Sequence, residues 1–369
     1  MQLRVSKQAA VAGGAVLTAL ALAACSSSSS SSSSSTTGTS STPSGSTSAS
    51  SNTSLSGTLN ASGSTFQTNF QQSAIQEFKT VDPGITVNYG GGGSSKGRTD
   101  LAGGTVQFAG SDSPIPATEE ANFKGKTVLY FPVQIGPIAI AYNLSGVSNL
   151  KLDSTVLAGI FQGTIKTWND AAIKALNPGV TLPSTAITIV VRSDGSGTTA
   201  NFSKYLTEAA SSWKLGTAST ISWPSSAHAA NGGSGVAAAI KSTNGAIGYV
   251  DDSTAKASGL STASIKNKSG AYVAPSTAGA TAAASQVTPA ADLTFSTVDE
   301  PGATSYPITY QSWDLVYAKQ PNANDAAMLK AYLGYLLGAG QQLLTPLGLA
   351  PLPSSIDSKA VAQLSQITS

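Results

Sequence analysis

The sequence predicts an α/β protein of two domains, set behind a targeting segment and a flexible tether. Three observations carry this. From residue 57 onward, apolar runs with period-two alternation trade places with stretches at helical spacing. The chain has 369 residues, enough for about two domains of ordinary size. Only 10% of them are charged, against roughly 25% in an average domain, so charges that cluster stand out. The net charge of +2 offers no basic footprint for nucleic acid. A single cysteine excludes an intrachain disulfide, and a single histidine, His228, excludes a multi-histidine metal site. No cofactor is expected.

At the N-terminus, Arg4 and Lys7 precede an apolar stretch over 9–24, too short for a membrane span. It ends in L-A-A-C at Cys25. Small residues directly before the one cysteine resemble a bacterial lipobox. In such signals the peptide is cut before the cysteine, which then carries lipid. Residues 1–24 are therefore expected to be a signal peptide, and Cys25 the lipidation site. Lipid chains supply about 0.8 kcal/mol per buried methylene, which would hold the protein on the extracytoplasmic face of the cell membrane, in the envelope or periplasm. Residues 25–56 are rich in Ser and Thr and carry few apolar groups, so they cannot offset the entropy of ordering. About 30 such residues reach on the order of 30 Å.

The folded body should begin near Gly57. "TFQTNFQQSAIQEF" places Phe66, Phe70, Ala74 and Phe78 on one helical face, with Ser64 or Thr65 as N-cap. Ile85, Val87 and Tyr89 alternate with polar residues as in a strand. "SSKGRTDLAGG" reads as a short helix, 106–108 as a strand, and "VLYFPVQIGPIAIAYNL" as further strands to about residue 144. Two short helices follow, the first capped by Asp153. Residues 187–191 form a strand, and a helix begins near Thr199. "GVAAAIKSTNGAIGYVD" reads as helix, turn and strand. The stretch 255–297 has no clear period. "PITYQSWDLVYAK" reads as a strand pair, and 325–337 as a helix with Met328, Leu329, Tyr332, Leu333 and Leu336 at helical spacing. Alternation of this kind argues for parallel sheets, with ligands outside the carboxyl ends of the strands.

Three strand-to-helix turns share one composition: "SGSTF", "GGGGSSKG" and "SDGSGTT". Each joins glycine to Ser or Thr just before a helix. Helix N-termini present unpaired N–H groups and partial positive charge. Glycine admits close backbone approach, and hydroxyls add donors, so the three turns together suit an oxyanion. Arg192 adds a planar fork that matches phosphate or carboxylate. Asp112, in "FAGSDSPI", is expected beside these turns. A carboxylate there accepts a proton from a protonated anion and repels a fully ionised one such as sulfate.

The stretches "GSTF", "NYGGGGSSKG", "VQFAGSDSPI", "IFQGTIKTWNDAAIKALNPG", "ITIVVRSDGSGTT" and "GAIGYV" resemble the PstS family, the phosphate-binding proteins of high-affinity phosphate ABC transporters. They run in family order over nearly the whole body. The resemblance implies a two-lobed class II periplasmic binding protein fold, each lobe a mixed sheet flanked by helices, with the ligand in the cleft between. It implies lobe 1 from 57–141 plus 306–369 and lobe 2 from 142–305, with crossings near Ala141 and Tyr306. Carried over, Thr65, Phe66, Ser94, Asp112, Arg192, Ser196, Gly197 and Thr198 bind phosphate. Asp194 positions Arg192, and Ser95 supports the site. The implied partners are inorganic phosphate and a phosphate permease in the membrane, with the protein itself a monomer. Gln107 stands where the family often has an acidic residue, and should point away from the site. Lys96 and Arg98 make the glycine turn more basic than the family pattern, either as a cleft rim that steers anions or as a solvated helix face.

Besides a tethered surface adhesin or scaffold with a fossil site, two other readings compete. One is a binding protein for another oxyanion: sulfate, molybdate or tungstate. The other is a hydrolase with Ser95 as nucleophile, since "GSSKG" fits G-x-S-x-G, with His228 as the one available base.

Overall fold

The computed structural model describes residues 55–369; the expected signal peptide, Cys25 and nearly all of the tether lie outside the described residues. In chain order the first elements are β1 (Gly57–Gly63), α1 (Thr68–Val81), β2 (Ile85–Gly92), α2 (Ser94–Gly103), β3 (Phe108–Ser111), α3 (Ala117–Glu120) and β4 (Val128–Asn143). Then come β5 (Lys151–Leu152), α4 (Ser154–Phe161), α5 (Ala171–Leu176), β6 (Thr188–Arg192), α6 (Gly197–Ala209), β7 (His228–Ala230), α7 (Gly232–Ser242) and β8 (Ala246–Asp251). The last are α8 (Asp252–Ala257), β9 (Ser261–Thr262), β10 (Ser264–Lys266), β11 (Tyr272–Val273), α9 (Thr277–Ala284), β12 (Thr309–Tyr317), α10 (Ala323–Leu337) and α11 (Ser354–Gln363).

The main sheet runs β2-β1-β3-β12-β4-β8-β6-β7, with β9 beside β4; β5, β10 and β11 form a separate small sheet. It is mixed. The outer pairs are parallel, joined through helices, but β12 is antiparallel to both β3 and β4, and β4 to β8. The expectation of parallel sheets thus holds only at the two ends, because the centre is built from long strands that pair without a helical crossover.

That centre also departs from the predicted strand breaks. The apolar run 128–143 is one strand of 16 residues, buried along nearly its whole length. Glycine and proline punctuate it, yet both prolines fall where the ladder is interrupted, the places a strand tolerates them. Pro132 lies at the register shift opposite Ser312 and Trp313, and Pro137 is the last residue paired with β12. From Ile138 onward β4 pairs with β8 instead. The strand pair predicted over 307–319 is likewise a single strand, β12. The strand expected at 106–108 is shifted later, to β3, since the Gln107 side chain caps the Asn60 N–H at 2.8 Å and turns away from the site.

The two halves are crossed by the chain at two adjacent places. Ile138 N–H donates to Ile308 O at 2.8 Å, and the Tyr306 hydroxyl to Ile138 O at 2.8 Å. Helices cover both faces. In the first half α1 and α10 pack Phe70, Phe78 and Tyr332 on one face, while Leu101, Phe123 and Trp313 fill the other. In the second half Phe161, Phe202 and Tyr249 lie on one face, and Val236 and Ile240 of α7 on the other. Asp153 caps α4 as expected, accepting from Val156 N at 2.8 Å.

Candidate functional site

The three glycine-rich turns meet at Asp112. This residue follows β3 directly and is buried, with 1% of its surface exposed. The turn from β1 to α1 brings Ser64, whose hydroxyl donates to Asp112 Oδ1 at 2.5 Å. The turn from β2 to α2 brings Ser94, whose hydroxyl donates to Asp112 Oδ2 at 3.3 Å. The turn from β6 to α6 brings Gly197, whose N–H donates to Ser94 Oγ at 3.2 Å. The two halves are in contact here: a Cβ on Gly197 would lie 2.5 Å from Asp112 Cβ and 2.5 Å from Ser94 Oγ. Glycine alone allows that approach.

The start of α6 suits an anion by its local chemistry. Ser196 is the N-cap, accepting from Thr199 N at 3.2 Å. Its hydroxyl proton remains to donate outward. The Thr198 N–H has no protein acceptor among the described residues. With the helix dipole behind it, this end favours negative charge.

Arg192 ends β6 and is buried. Its Nε donates to Asp194 Oδ1 at 2.7 Å, and its Nη2 pairs with Asp194 Oδ2. Asp194 also accepts from Gly232 N at 3.0 Å. Burial pushes the Asp194 carboxyl up, but Arg192 and the Gly232 N–H outweigh it and hold the group below the usual carboxylate range. The fork is therefore aimed by a partner on one edge, with further N–H groups left to a ligand.

Asp112 is the one acceptor in this array of donors. Burial pushes its carboxyl up, while the hydroxyls of Ser312, Ser64 and Ser94 and the Arg192 charge pull it back, leaving it at about 6. At neutral pH it is an ionised carboxylate loaded with hydroxyl donors. An anion would suit Arg192 and α6, and one that carries a proton would suit the Asp112 carboxylate.

Thr65 is half-buried at the edge, and a Cβ on Gly91 would meet its Cγ2 at 3.4 Å. The Phe66 ring stacks on Tyr310 at 4.0 Å between centroids, and its N–H donates to Ser64 Oγ at 3.1 Å. Neither Ser64 nor Thr65 caps α1; Gln67 occupies that position and Ser64 serves Asp112 instead. Ser95 faces away from Asp112. Its hydroxyl contacts Ser219 Oγ at 3.1 Å and accepts from Arg98 Nη2 at 3.1 Å, so its partners are not His228, which is exposed on β7. Lys96 is exposed and pairs with Asp100 at 2.5 Å. Arg98 corrects both expectations for it. It is neither rim nor solvated face but a buried cation, with Nε and Nη2 on Glu119 at 2.7 and 2.9 Å and Nη1 on Ser111 and Ser113 at 3.1 Å each.

Sequence reasoning missed Ser312, whose hydroxyl donates to Asp112 Oδ1 at 2.6 Å, and Asn201, whose amide donates to Asp112 O at 2.6 Å. Ser312 lies 200 residues from Asp112 on a strand with no glycine turn, so no local signal marks it. Asn201 had one: it stands four residues after Gly197 on α6, on the same helical face.

Comparison with known proteins agrees with this geometry. Residues 35–339 match the model of the PBP superfamily domain. The chain is 39% identical over 315 residues to phosphate-binding protein PstS 3 of Mycobacterium leprae, covering 82% of this chain and 85% of that one. It is 35% identical over 348 residues to phosphate-binding protein PstS 2 of Mycobacterium tuberculosis, covering 90% and 93%. Among solved structures, the periplasmic phosphate-binding protein PfluDING, bound with phosphate, superposes with a TM-score of 0.69 at 24% identity, covering 83% of this chain and 94% of that one. The fold is thus the two-lobed one of periplasmic binding proteins, and the chain belongs to the PBP superfamily and, within it, to the PstS family of phosphate-binding proteins.

Proposed function

We propose that the protein is an extracytoplasmic substrate-binding protein that captures inorganic phosphate for an ABC importer, anchored through lipid on Cys25. The observation that carries this is the buried carboxylate of Asp112, set among converging donors. Hydrogen phosphate satisfies both demands of the site. Its charge meets Arg192 and the N-terminus of α6, and its proton goes to Asp112 Oδ2, the oxygen held only by the 3.3 Å contact from Ser94. Ser196, Gly197 and Thr198 hold the ligand from one lobe, and Thr65, Phe66 and Ser94 from the other. Asp194 holds Arg192. Membership of the PstS family supports the same reading.

The lobes are then 57–141 with 306–369 and 142–305. Closure is a hinge motion about the two adjacent crossings, and the change of partners along β4 between Pro137 and Ile138 supports a boundary there. A lobed binder of this kind presents its closed form to a membrane permease.

Calorimetric titration of the anion-stripped protein with phosphate and then sulfate tests the reading. One-to-one phosphate binding without a sulfate response is expected at about pH 8. Asp112→Asn should keep much of the phosphate affinity and admit sulfate, because the unpaired repulsion is gone. Sulfate binding by the unaltered protein in preference to phosphate would replace this reading with that of another oxyanion.

A further inference from the structure

Behind Asp112 lies a line of buried polar groups that the proposed function does not use. Gln67 and Gln71 are four apart at the start of α1; Ser312 and Asp314 are two apart on β12. The helix period and the strand period therefore set two amides against two acceptors. All four are fully buried.

We infer that the buried relay Tyr332–Gln71–Gln67–Ser312, backed by Asp314, is a positioning device that fixes the Ser312 proton on Asp112 and so sets the site's demand for a protonated anion. This rests on the phosphate reading above and extends it to residues that touch no ligand.

The direction of each link follows from groups with only one role. The Trp313 carbonyl can only accept, and it takes Gln67 Nε2 at 3.0 Å. The same Nε2 donates to Ser312 Oγ at 2.8 Å. Ser312 must then turn its one proton elsewhere, and its shortest acceptor is Asp112 Oδ1 at 2.6 Å; Ser111 O lies at 3.4 Å. Gln67 Oε1 accepts from Gln71 Nε2 at 3.0 Å. That amide is held with its nitrogen inward by Asp314, whose oxygens lie 3.3 and 3.1 Å away. Gln71 Oε1 accepts from the Tyr332 hydroxyl at 2.7 Å. Burial keeps that phenol neutral, so it stays a donor. Every link donates toward Asp112.

The neighbouring chain protects this order. A Cβ on Gly110 would meet Tyr89 Oη at 2.1 Å and Gln67 Oε1 at 2.9 Å, so only glycine leaves Gln67 its place. Asp112 is faced by the Ser64, Ser94 and Ser312 hydroxyls, by Arg192 from β6, and by the phenols Tyr89 from β2 and Tyr310 from β12. Asp314 is faced by Gln71 and Gln67 from α1, Tyr89 from β2 and Tyr332 from α10. Arg192 is the only cation in either set, and it is the ligand contact itself, so in the free site Asp112 is kept ionised by its hydroxyl donors as well, and the relay directs the Ser312 donor among them.

The test compares the full protein with Gln67→Met, Ser312→Ala and Ser312→Thr, each checked by thermal melting. Dissociation constants for inorganic phosphate and for sulfate are measured from about pH 5.5 to 8.5. With one directed donor lost, the pH at which sulfate becomes admitted should rise by about one unit, and the sulfate-to-phosphate affinity ratio near pH 6.5 by about tenfold. Ser312→Thr, which keeps the hydroxyl, should match the unaltered protein. If Gln67→Met does not fold, Ser312→Ala carries the test, since it leaves the Gln67–Trp313 contact intact. Sulfate profiles unmoved in the folded variants, while Asp112→Asn relaxes sulfate rejection, would overturn the relay alone. Absence of phosphate binding by the unaltered protein would overturn the reading beneath it.

Discussion

Arg192 and Asp194 show how two charges on one short turn work as a unit. Asp194 takes the Nε edge of the guanidinium and is itself pinned by Gly232 N–H. Removing one partner of a buried pair leaves an uncompensated charge, at a cost of about 3–5 kcal/mol. Asp194→Ala should therefore lower the melting temperature of the free protein. Bound phosphate would then neutralise a cation that the protein no longer does. The rise in melting temperature on adding saturating phosphate should be larger in the variant than in the unaltered protein, and equal rises would argue against this role. Arg192, Asp194 and Asp112 were legible because a charge in a charge-poor chain, next to glycine and hydroxyl residues, has few structural uses. Ser64 lies in one of the glycine turns, yet its sequence context reads as a helix cap, since a cap and a carboxylate partner need the same hydroxyl.

The strand-to-helix turn is the element that builds the site, and it works by contact rather than by sequence alone. At the β6–α6 turn, Gly197 lets the helix end press onto Asp112 and Ser94 from the other half of the sheet. Gly197→Ala puts a methyl into that contact. Overpacking of this kind costs about 1–3 kcal/mol, so phosphate should bind about ten- to a hundredfold more weakly. The melting temperature of the free protein should fall as well, since the methyl meets Asp112 and Ser94 in the structure described. Calorimetry beside a melting curve separates the two effects. Element type was legible wherever the apolar period was long, as in α1 and α10. Breaks were not: Pro132 and Pro137 read as strand ends, but a bulge and a change of partners absorb them inside β4. Arg98 was misjudged for a similar reason, because the Glu119 that buries it lies 21 residues away, beyond any helical pairing.

At the scale of the molecule, two buried carboxylates couple the site to stability. Burial raises Asp112 to about 6 and Asp314 to about 7, against hydroxyl and amide donors that lower them. Well below the unfolded value of 3.8, both are protonated in the folded and unfolded chain, and neither penalises folding. As pH climbs from there toward 7, the unfolded chain releases its protons first, and the folded state is left with charge that burial disfavours. Each carboxylate should then lower stability by up to about 1.4 kcal/mol per pH unit across its window. Urea denaturation at about pH 4.5, 6 and 8 should show the free protein losing stability upward through this range. Asp314→Asn should flatten the loss between about pH 4 and 7, and parallel curves for the two proteins would contradict it.

By itself the sequence determined the α/β class, most helices and strands, and the chemistry of the three glycine turns. Those depend on contacts a few residues apart, which periodicity and turn composition record directly. Tertiary structure alone decided that β4 is a single strand shared by both halves, that Arg98 is an internal brace, and that Ser312 joins Ser64 and Ser94 on Asp112. Each of these is a pairing across 20 to 200 residues, where the partner and not the local pattern determines whether a polar group is buried, and so what it does.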